Sequence, residues 1–146
     1  MPTFYIGDVP ATFSLDPNTA VRRSGANDKF ETVAANMKTF SLIIASPVVG
    51  GVCIMRAFQA MTFVRVAGVT FGSSSPTVTF NIEKRTDPSS AGTNIFTLDY
   101  TINSTGGSTT TFNSPSVSAD DWLYVDVSAK SGTVTFAEIT IQLSVA

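Results

Sequence analysis

Apolar and polar side chains alternate without a break in the stretch PTVTFNIEK, residues 76–84. Val78, Phe80 and Ile82 share one face of an extended chain. The other face carries the polar residues of the stretch, Thr77, Thr79, Asn81 and Glu83. A period of two is typical of a β-strand that lies on a core with one face and meets water with the other. We therefore predict that the Val78 face is buried and that the Thr79 face is solvated.

Strands of this kind recur from about Phe40 onward, separated by turns rich in Ser, Thr, Gly and Pro. The pattern predicts strands at about residues 38–46, 52–58, 61–71, 76–85, 94–102, 108–113, 121–129 and 133–145. Their spacing is often near the roughly 8–12 residues that are typical of sandwiches and barrels. We therefore predict an all-β fold, a two-sheet antiparallel β-sandwich of about eight strands with a jelly-roll-like topology.

The strand that begins at Trp122 has two apolar faces. Three residues of one parity form its inner face: Leu123, Val125 and Val127. Trp122 and Tyr124 lie on the opposite face, which is unusually apolar for a face in contact with water. We predict that Trp122 and Tyr124 contact a neighbouring strand or subunit, since aromatic residues are frequent interface anchors. An aromatic platform for a sugar, formed with Tyr100, is the alternative.

A change of parity interrupts the last strand. Val134 and Phe136 share one parity, whereas the residues that follow share the other: Ile139, Ile141, Leu143 and Val145. One inserted residue re-aims every side chain after it. We therefore predict a β-bulge around Ala137 and Glu138, with Ile139, Ile141 and Leu143 in the core.

Residues 1–35 differ from the remainder, which forms the predicted sandwich domain at 36–146. Prolines and glycines break up any periodicity, and the large apolar side chains are scattered. Such a segment has too little local core to offset its ordering entropy. We therefore predict an extended N-terminal arm that becomes ordered on another chain; a leader packed on its own domain is the alternative. One helical turn is expected within Asn27–Met37, with Asp28 near its start.

Two groups of residues are the predicted contacts of this arm. The apolar anchors are Phe4, Tyr5, Ile6 and Phe13. The basic doublet Arg22-Arg23 is predicted to meet carboxylates of a partner, with a solvated pair in a loop as the alternative. The sequence lacks the clustered basic surface that nucleic-acid binding needs.

Charge is sparse throughout the chain. Only 14% of the 146 residues are charged, against about 25% in an average globular protein. Phe40–Met55 carries no charge at all, yet it is shorter than the roughly 20 residues of a membrane-spanning helix and contains Pro47 and Gly50-Gly51. We interpret it as two strands with a turn and predict no membrane contact. The first residues lack the basic and apolar regions of a secretory signal peptide.

The sequence offers little for catalysis. It contains no histidine, and Cys53 is its only cysteine, so Ser-His-Asp and Cys-His mechanisms have no base and common zinc sites have no ligand set. Cys53 lies in an apolar run and is expected to be a buried, inert thiol. Asp120-Asp121, the acidic doublet, is interpreted as part of a turn, with calcium ligation as an alternative. We predict no enzyme activity, no cofactor and no metal.

The region from Phe40 to Val145 resembles small β-sandwich proteins of tailed-phage particles, which include head decoration or cement proteins, head fibres and related tail modules. The resemblance is carried by the segments Phe63–Val66, Val78–Lys84, Ser118–Leu123 and Ser128–Val134. In the third segment many relatives have Gly-Asp-Trp-Leu, whereas this chain has Asp120 in place of the glycine.

The resemblance implies a virion structural protein, often trimeric, that assembles in the host cytoplasm and lies on the virion surface. Its leading form is a capsid decoration or cement protein, whose partners are copies of itself and the major capsid protein or another virion protein. A receptor- or glycan-binding module of a tail fibre or tail tip is the alternative. A small hydrolase that uses carboxylates is the third possibility.

Overall fold

A computed structural model of the protein describes residues 3–6, 9–12, 19–24, 29–34 and 36–145. All the regular elements in these ranges are β-strands, which confirms the predicted all-β class. The chain divides into two compact units, Met1–Asn36 and Met37–Ala146.

The N-terminal unit contains two antiparallel strand pairs. β1 (Thr3–Ile6) pairs with β2 (Val9–Thr12), and β3 (Thr19–Ser24) pairs with β4 (Lys29–Ala34). The helical turn expected within Asn27–Met37 is therefore wrong, because β4 occupies most of that segment. Its β-branched residues Thr32 and Val33 favour a strand over a helix.

The second unit holds the remaining eight strands. They are β5 (Met37–Ala45), β6 (Gly50–Arg56), β7 (Met61–Arg85), β8 (Thr93–Asn94), β9 (Tyr100–Asn103), β10 (Gly107–Thr109), β11 (Ser116–Val117) and β12 (Trp122–Val145). All of their pairings are antiparallel, and they form one hydrogen-bonded network of eight strands. The predicted antiparallel fold of about eight strands is confirmed.

The long strands β7 and β12 pair with each other along nearly their whole length. In the first half-sheet, residues 61–71 of β7 and 136–145 of β12 lie between β10 and β5. In the second half-sheet, residues 77–85 of β7 and 122–131 of β12 lie between β9 and β6. One buried cluster contains the inner residues of both halves.

Bends in β7 and β12 connect the two half-sheets. The sequence predicts separate strands at 61–71 and 76–85 and at 121–129 and 133–145, but each of these two pairs is one continuous strand. Gly132 (φ 66°), Ser74 (φ 59°) and Ser75 (φ 54°) adopt left-handed backbone conformations at the bends. A sharp change of direction within a continuous strand requires such conformations and tolerates glycine best.

The predicted inner residues are all buried: Val78, Phe80, Ile82, Leu123, Val125, Val127, Ile139, Ile141 and Leu143. The bulge lies slightly earlier than predicted, since the register of β12 against β7 shifts between Val134 and Phe136. Val134 is buried, whereas Phe136 lies on the outer face and stacks on Phe71 with 4.3 Å between ring centroids. The change of parity among the apolar residues indicated a β-bulge, but it did not identify the inserted residue.

Asn81 is the exception to the predicted alternation, because it is only 2% exposed. The predicted strand at 94–102 is interrupted, and after Ile95, whose N–H still bonds to the Ile82 carbonyl, residues 96–99 leave the ladder between β8 and β9. The Asn81 side chain fills this gap: its amide oxygen accepts from Phe96 N at 3.2 Å, and its amide nitrogen donates to Phe96 O at 3.3 Å. Asn81 therefore replaces a missing rung of backbone pairing.

Candidate interaction surface

Trp122 and Tyr124 lie on the outer face of the second half-sheet, and both are half-buried. Each is covered by an arginine from a neighbouring strand. The guanidinium carbon of Arg56 lies 5.5 Å from the centroid of the Trp122 ring, and that of Arg85 lies 4.1 Å from the centroid of Tyr124. The register explains the first contact, because Trp122 pairs directly with Arg56 of β6. Trp122 and Tyr124 are therefore packed within their own chain.

Acidic groups hold these two arginines in place. Arg85 forms an ion pair with Glu83 at 2.6 Å and donates to the Pro88 carbonyl at 3.2 Å. The hydrogen bond to Glu83 is the main cause that raises the pKa of Arg85. Arg56 forms an exposed ion pair with Asp120 at 3.0 Å. Exposed pairs of this kind contribute at most about 1 kcal/mol, so the arrangement orders the surface more than it stabilises the fold.

Tyr100 does not join Trp122 and Tyr124. It packs against the core, where its ring centroid lies 6.1 Å from that of Phe80 and 5.9 Å from that of Phe96. Leu123 and Val125, which alternate with Tyr124, are inner residues, so Tyr124 faces outward while Tyr100 faces inward. The three-residue aromatic platform considered for sugar binding is therefore not assembled.

Cys53 is exposed, so the expectation of a buried thiol is wrong. It lies on β6, an edge strand, and pairs with Tyr124. A register shift between Leu123 and Tyr124 sets which residues of β6 point outward. Burial is the main cause that raises the pKa of Tyr124, and the Cys53 thiol adds to it.

The Asp120-Asp121 doublet forms a turn, as predicted. The Asp121 carboxylate accepts a hydrogen bond from Ser118 N at 2.9 Å, and Asp120 has a φ of 71°. Aspartate adopts this left-handed conformation at a moderate energetic cost, whereas glycine adopts it freely. Among the residues that the structure describes, no group of three or more potential ligands could hold a metal ion.

The predicted contacts of the N-terminal segment fall on its strand pairs. Phe4, Tyr5 and Ile6 belong to β1, and Arg22 and Arg23 belong to β3, where Arg22 pairs with Glu31 and Arg23 with Phe30. Phe13 lies outside the described residues. The role of these residues as anchors stays a prediction.

Lys84 closes one end of the core. Its ammonium group donates to Ser114 Oγ at 2.7 Å and to the Ser116 carbonyl at 2.6 Å. Burial lowers the pKa of Lys84, and the nearby Asp121 carboxylate opposes this effect. The contacts attach the segment around β11 to β7, so Lys84 has a structural role.

Comparison with known proteins identifies no relative of the chain. No protein-family model matches the chain, and no significant match was found among curated proteins or solved structures. No helix in the described ranges is long and apolar enough to cross a membrane.

Proposed function

We propose that this chain is a virion structural protein, a decoration or cement protein that binds and stabilises the head shell of a tailed phage. The observation that carries the proposal is the division of the chain at Asn36 into a small unit of paired strands and a larger unit with its own core. In the proposed protein the small unit attaches the chain to the head shell, and the larger unit contacts neighbouring copies. The resemblance of residues 40–145 to phage-particle proteins points the same way.

The strand order supports a jelly-roll topology for the larger unit. When β7 and β12 are each divided at their bends, eight segments follow one another: β5, β6, the two halves of β7, β9, β10 and the two halves of β12. Their order is 6-3-8-1 in the first half-sheet and 5-4-7-2 in the second. Jelly rolls occur in viral capsid and lectin domains, so the topology supports the function by analogy of fold.

The proposed partners are other copies of the chain, most simply in a homotrimer, and the major capsid protein or another virion protein. The protein assembles in the host cytoplasm and ends on the virion surface. Repetition over many equivalent capsid sites adds avidity without any new type of contact.

A glycan- or receptor-binding module of a tail is the second candidate, because lectins share the jelly roll. The outer aromatic residues weaken it. Sugar stacking needs an open ring face, whereas Trp122 and Tyr124 are covered by Arg56 and Arg85. The decoration protein therefore remains the better proposal.

Deletion of residues 2–35 tests the proposal. We expect the remaining unit to stay folded, since its buried cluster is formed by residues 57–145. We expect its binding to purified phage particles that lack the protein to weaken about 100-fold or more, since multivalent attachment amplifies each lost contact. Co-sedimentation with the particles measures binding, and thermal unfolding checks the fold.

The full-length chain with Leu98→Lys, a change at an exposed position of the larger unit, is the control. Undiminished binding of the truncated chain would show that attachment does not use the N-terminal unit. The number of copies per particle distinguishes the two candidates, because a cement protein is present in hundreds of copies and a tail module in a few to dozens. Retention of a glycan without binding to heads would favour the second candidate.

A further inference from the structure

One side of the larger unit is formed by β5, the loop at 46–49 and β6. We call it the uncharged edge because its charged residues, Lys38 and Arg56, lie only near its two ends. No charged residue lies between Lys38 and Arg56. β5 is the outermost strand of the first half-sheet, and β6 is the outermost strand of the second. The uncharged stretch that the sequence shows therefore becomes a continuous border of the fold.

β5 is the least protected edge strand among the described residues. It is nine residues long and pairs with β12 without a register shift. β6 has a shift in its pairing, and the edge strands opposite β5 and β6 are short: β9 has four residues and β10 has three. Long, regular edge strands with few charges readily pair with another chain. Monomeric proteins usually prevent this with short edge strands, charged residues, prolines or bulges.

Exposed apolar side chains concentrate on this edge. Five of the eight large hydrophobic residues that are exposed in the described ranges belong to it: Met37, Ile43, Val48, Val49 and Val52. Ile43, Val48 and Val49 are 65%, 68% and 66% exposed. A cluster of this kind marks an interaction site rather than the scattered exposure that is normal for single residues.

The core is also open at this edge. Phe40, Leu42 and Ile44 face the core, yet they are only partly buried. Ile139 and Ile141, the inner residues next to them on β12, are fully buried. A further strand or surface beside β5 would cover them.

The charge distribution indicates what covers the edge. An uncharged apolar surface matches a partner that is equally free of charge, because an unpaired charge would lose its hydration there. The outer face of the second half-sheet carries Arg85 and Glu83 and does not match it. The uncharged edge of a second copy has the matching chemistry. Contact between two copies of one patch gives a dimer, whereas a trimer needs contact between two different parts, here β5 of one copy and β6 or the loop at 46–49 of the next.

We propose that the uncharged edge is the contact between copies of this chain. The proposal deepens the proposed function and rests on its homo-oligomer, in which it names the subunit interface. It assigns that interface to Ile43, Val48 and their neighbours, and not to Trp122 and Tyr124, whose rings are already packed.

Ile43→Lys in the full chain tests the proposal by analytical ultracentrifugation. We expect the wild-type chain to self-associate and the variant to do so about 100-fold more weakly. The new ammonium group would lie opposite Glu138 of β12, and the contact would have to remove the water around this charge pair. Leu98→Lys is the matched control, because Leu98 is 82% exposed and lies outside the edge. Val48→Lys, in the loop, keeps the test informative if Ile43→Lys perturbs the strand, and near-ultraviolet circular dichroism checks each fold.

The exposed thiol of Cys53 provides a second measurement. We expect its reaction with a maleimide to slow as wild-type copies associate and to stay fast in Ile43→Lys. A wild-type chain that is monomeric at all concentrations would overturn the proposal, as would equal weakening by Ile43→Lys and Leu98→Lys. A protected thiol in a monomer would show that the chain's own N-terminal unit covers the edge, which also overturns it. The particle-binding experiment deletes the N-terminal unit and leaves the uncharged edge unchanged, so the two proposals can fail separately.

Discussion

Replacement of Gly72 by alanine is expected to destabilise the fold by about 3–5 kcal/mol, the range of severe single substitutions. Gly72 lies at the bend of β7, opposite the bend of β12. A Cβ atom at this position would overlap the carbonyl oxygen of Thr133 and lie 2.9 Å from its carbonyl carbon. Both atoms are backbone, so they can move only if β12 moves with them. The two half-sheets would then lose the pairing that joins them at the bend.

Gly50→Ala is the matched control for this prediction. Gly50 has a φ of 133°, which alanine rarely adopts, but a Cβ atom there would meet nothing within 4 Å. It should therefore cost only the backbone strain, about 1 kcal/mol. Urea unfolding followed by tryptophan fluorescence compares the two variants. Equal midpoints for Gly72→Ala and Gly50→Ala would show that β12 yields at the bend and that the close approach is not essential.

The continuity of β7 and β12 through their bends could not be predicted from the sequence. Gly72 and the serines after it have the composition of a turn, and composition does not distinguish a turn that ends a strand from a bend within one. The difference depends on whether residues on both sides pair with the same neighbour, here β12. That pairing links residues about 60 positions apart, so the residues around each bend do not reveal it.

The inner faces were predictable because period-two alternation is a local property. Val78, Phe80 and Ile82 are buried as predicted. The burial of the outer faces was not predictable, because the side chains that cover them belong to other strands. Arg56 and Arg85 reach Trp122 and Tyr124 through the register, and Cys53 is exposed because its strand lies at an edge. The uncharged run at 40–55 was visible in the sequence, but its position at a border of the fold was not.

Asn81→Leu is expected to lower the free energy of unfolding by about 2–4 kcal/mol, since buried polar groups that lose a partner cost about 1–3 kcal/mol each. Leucine has a similar size but leaves the Phe96 N–H and C=O without the amide that now bonds both. It also removes the 2.9 Å hydrogen bond from Asn81 Nδ2 to Asp99 Oδ1. Phe96 packs against Phe80 and Phe112, so release of this segment would also loosen the core.

Thr79→Val is the control, because it removes a side-chain hydrogen bond on the same strand, that between Thr79 and Thr101 at 2.8 Å, at a site that water reaches. Water can replace that bond, so the loss should stay below about 1 kcal/mol. Urea unfolding gives both free energies, and hydrogen exchange at the Phe96 amide reports the local effect. Faster exchange in Asn81→Leu but not in Thr79→Val is expected. If Asn81→Leu left both the unfolding midpoint and the Phe96 exchange rate unchanged, the side chain would not replace the missing rung, and the packing of Ile95 and Phe96 alone would hold the segment in place.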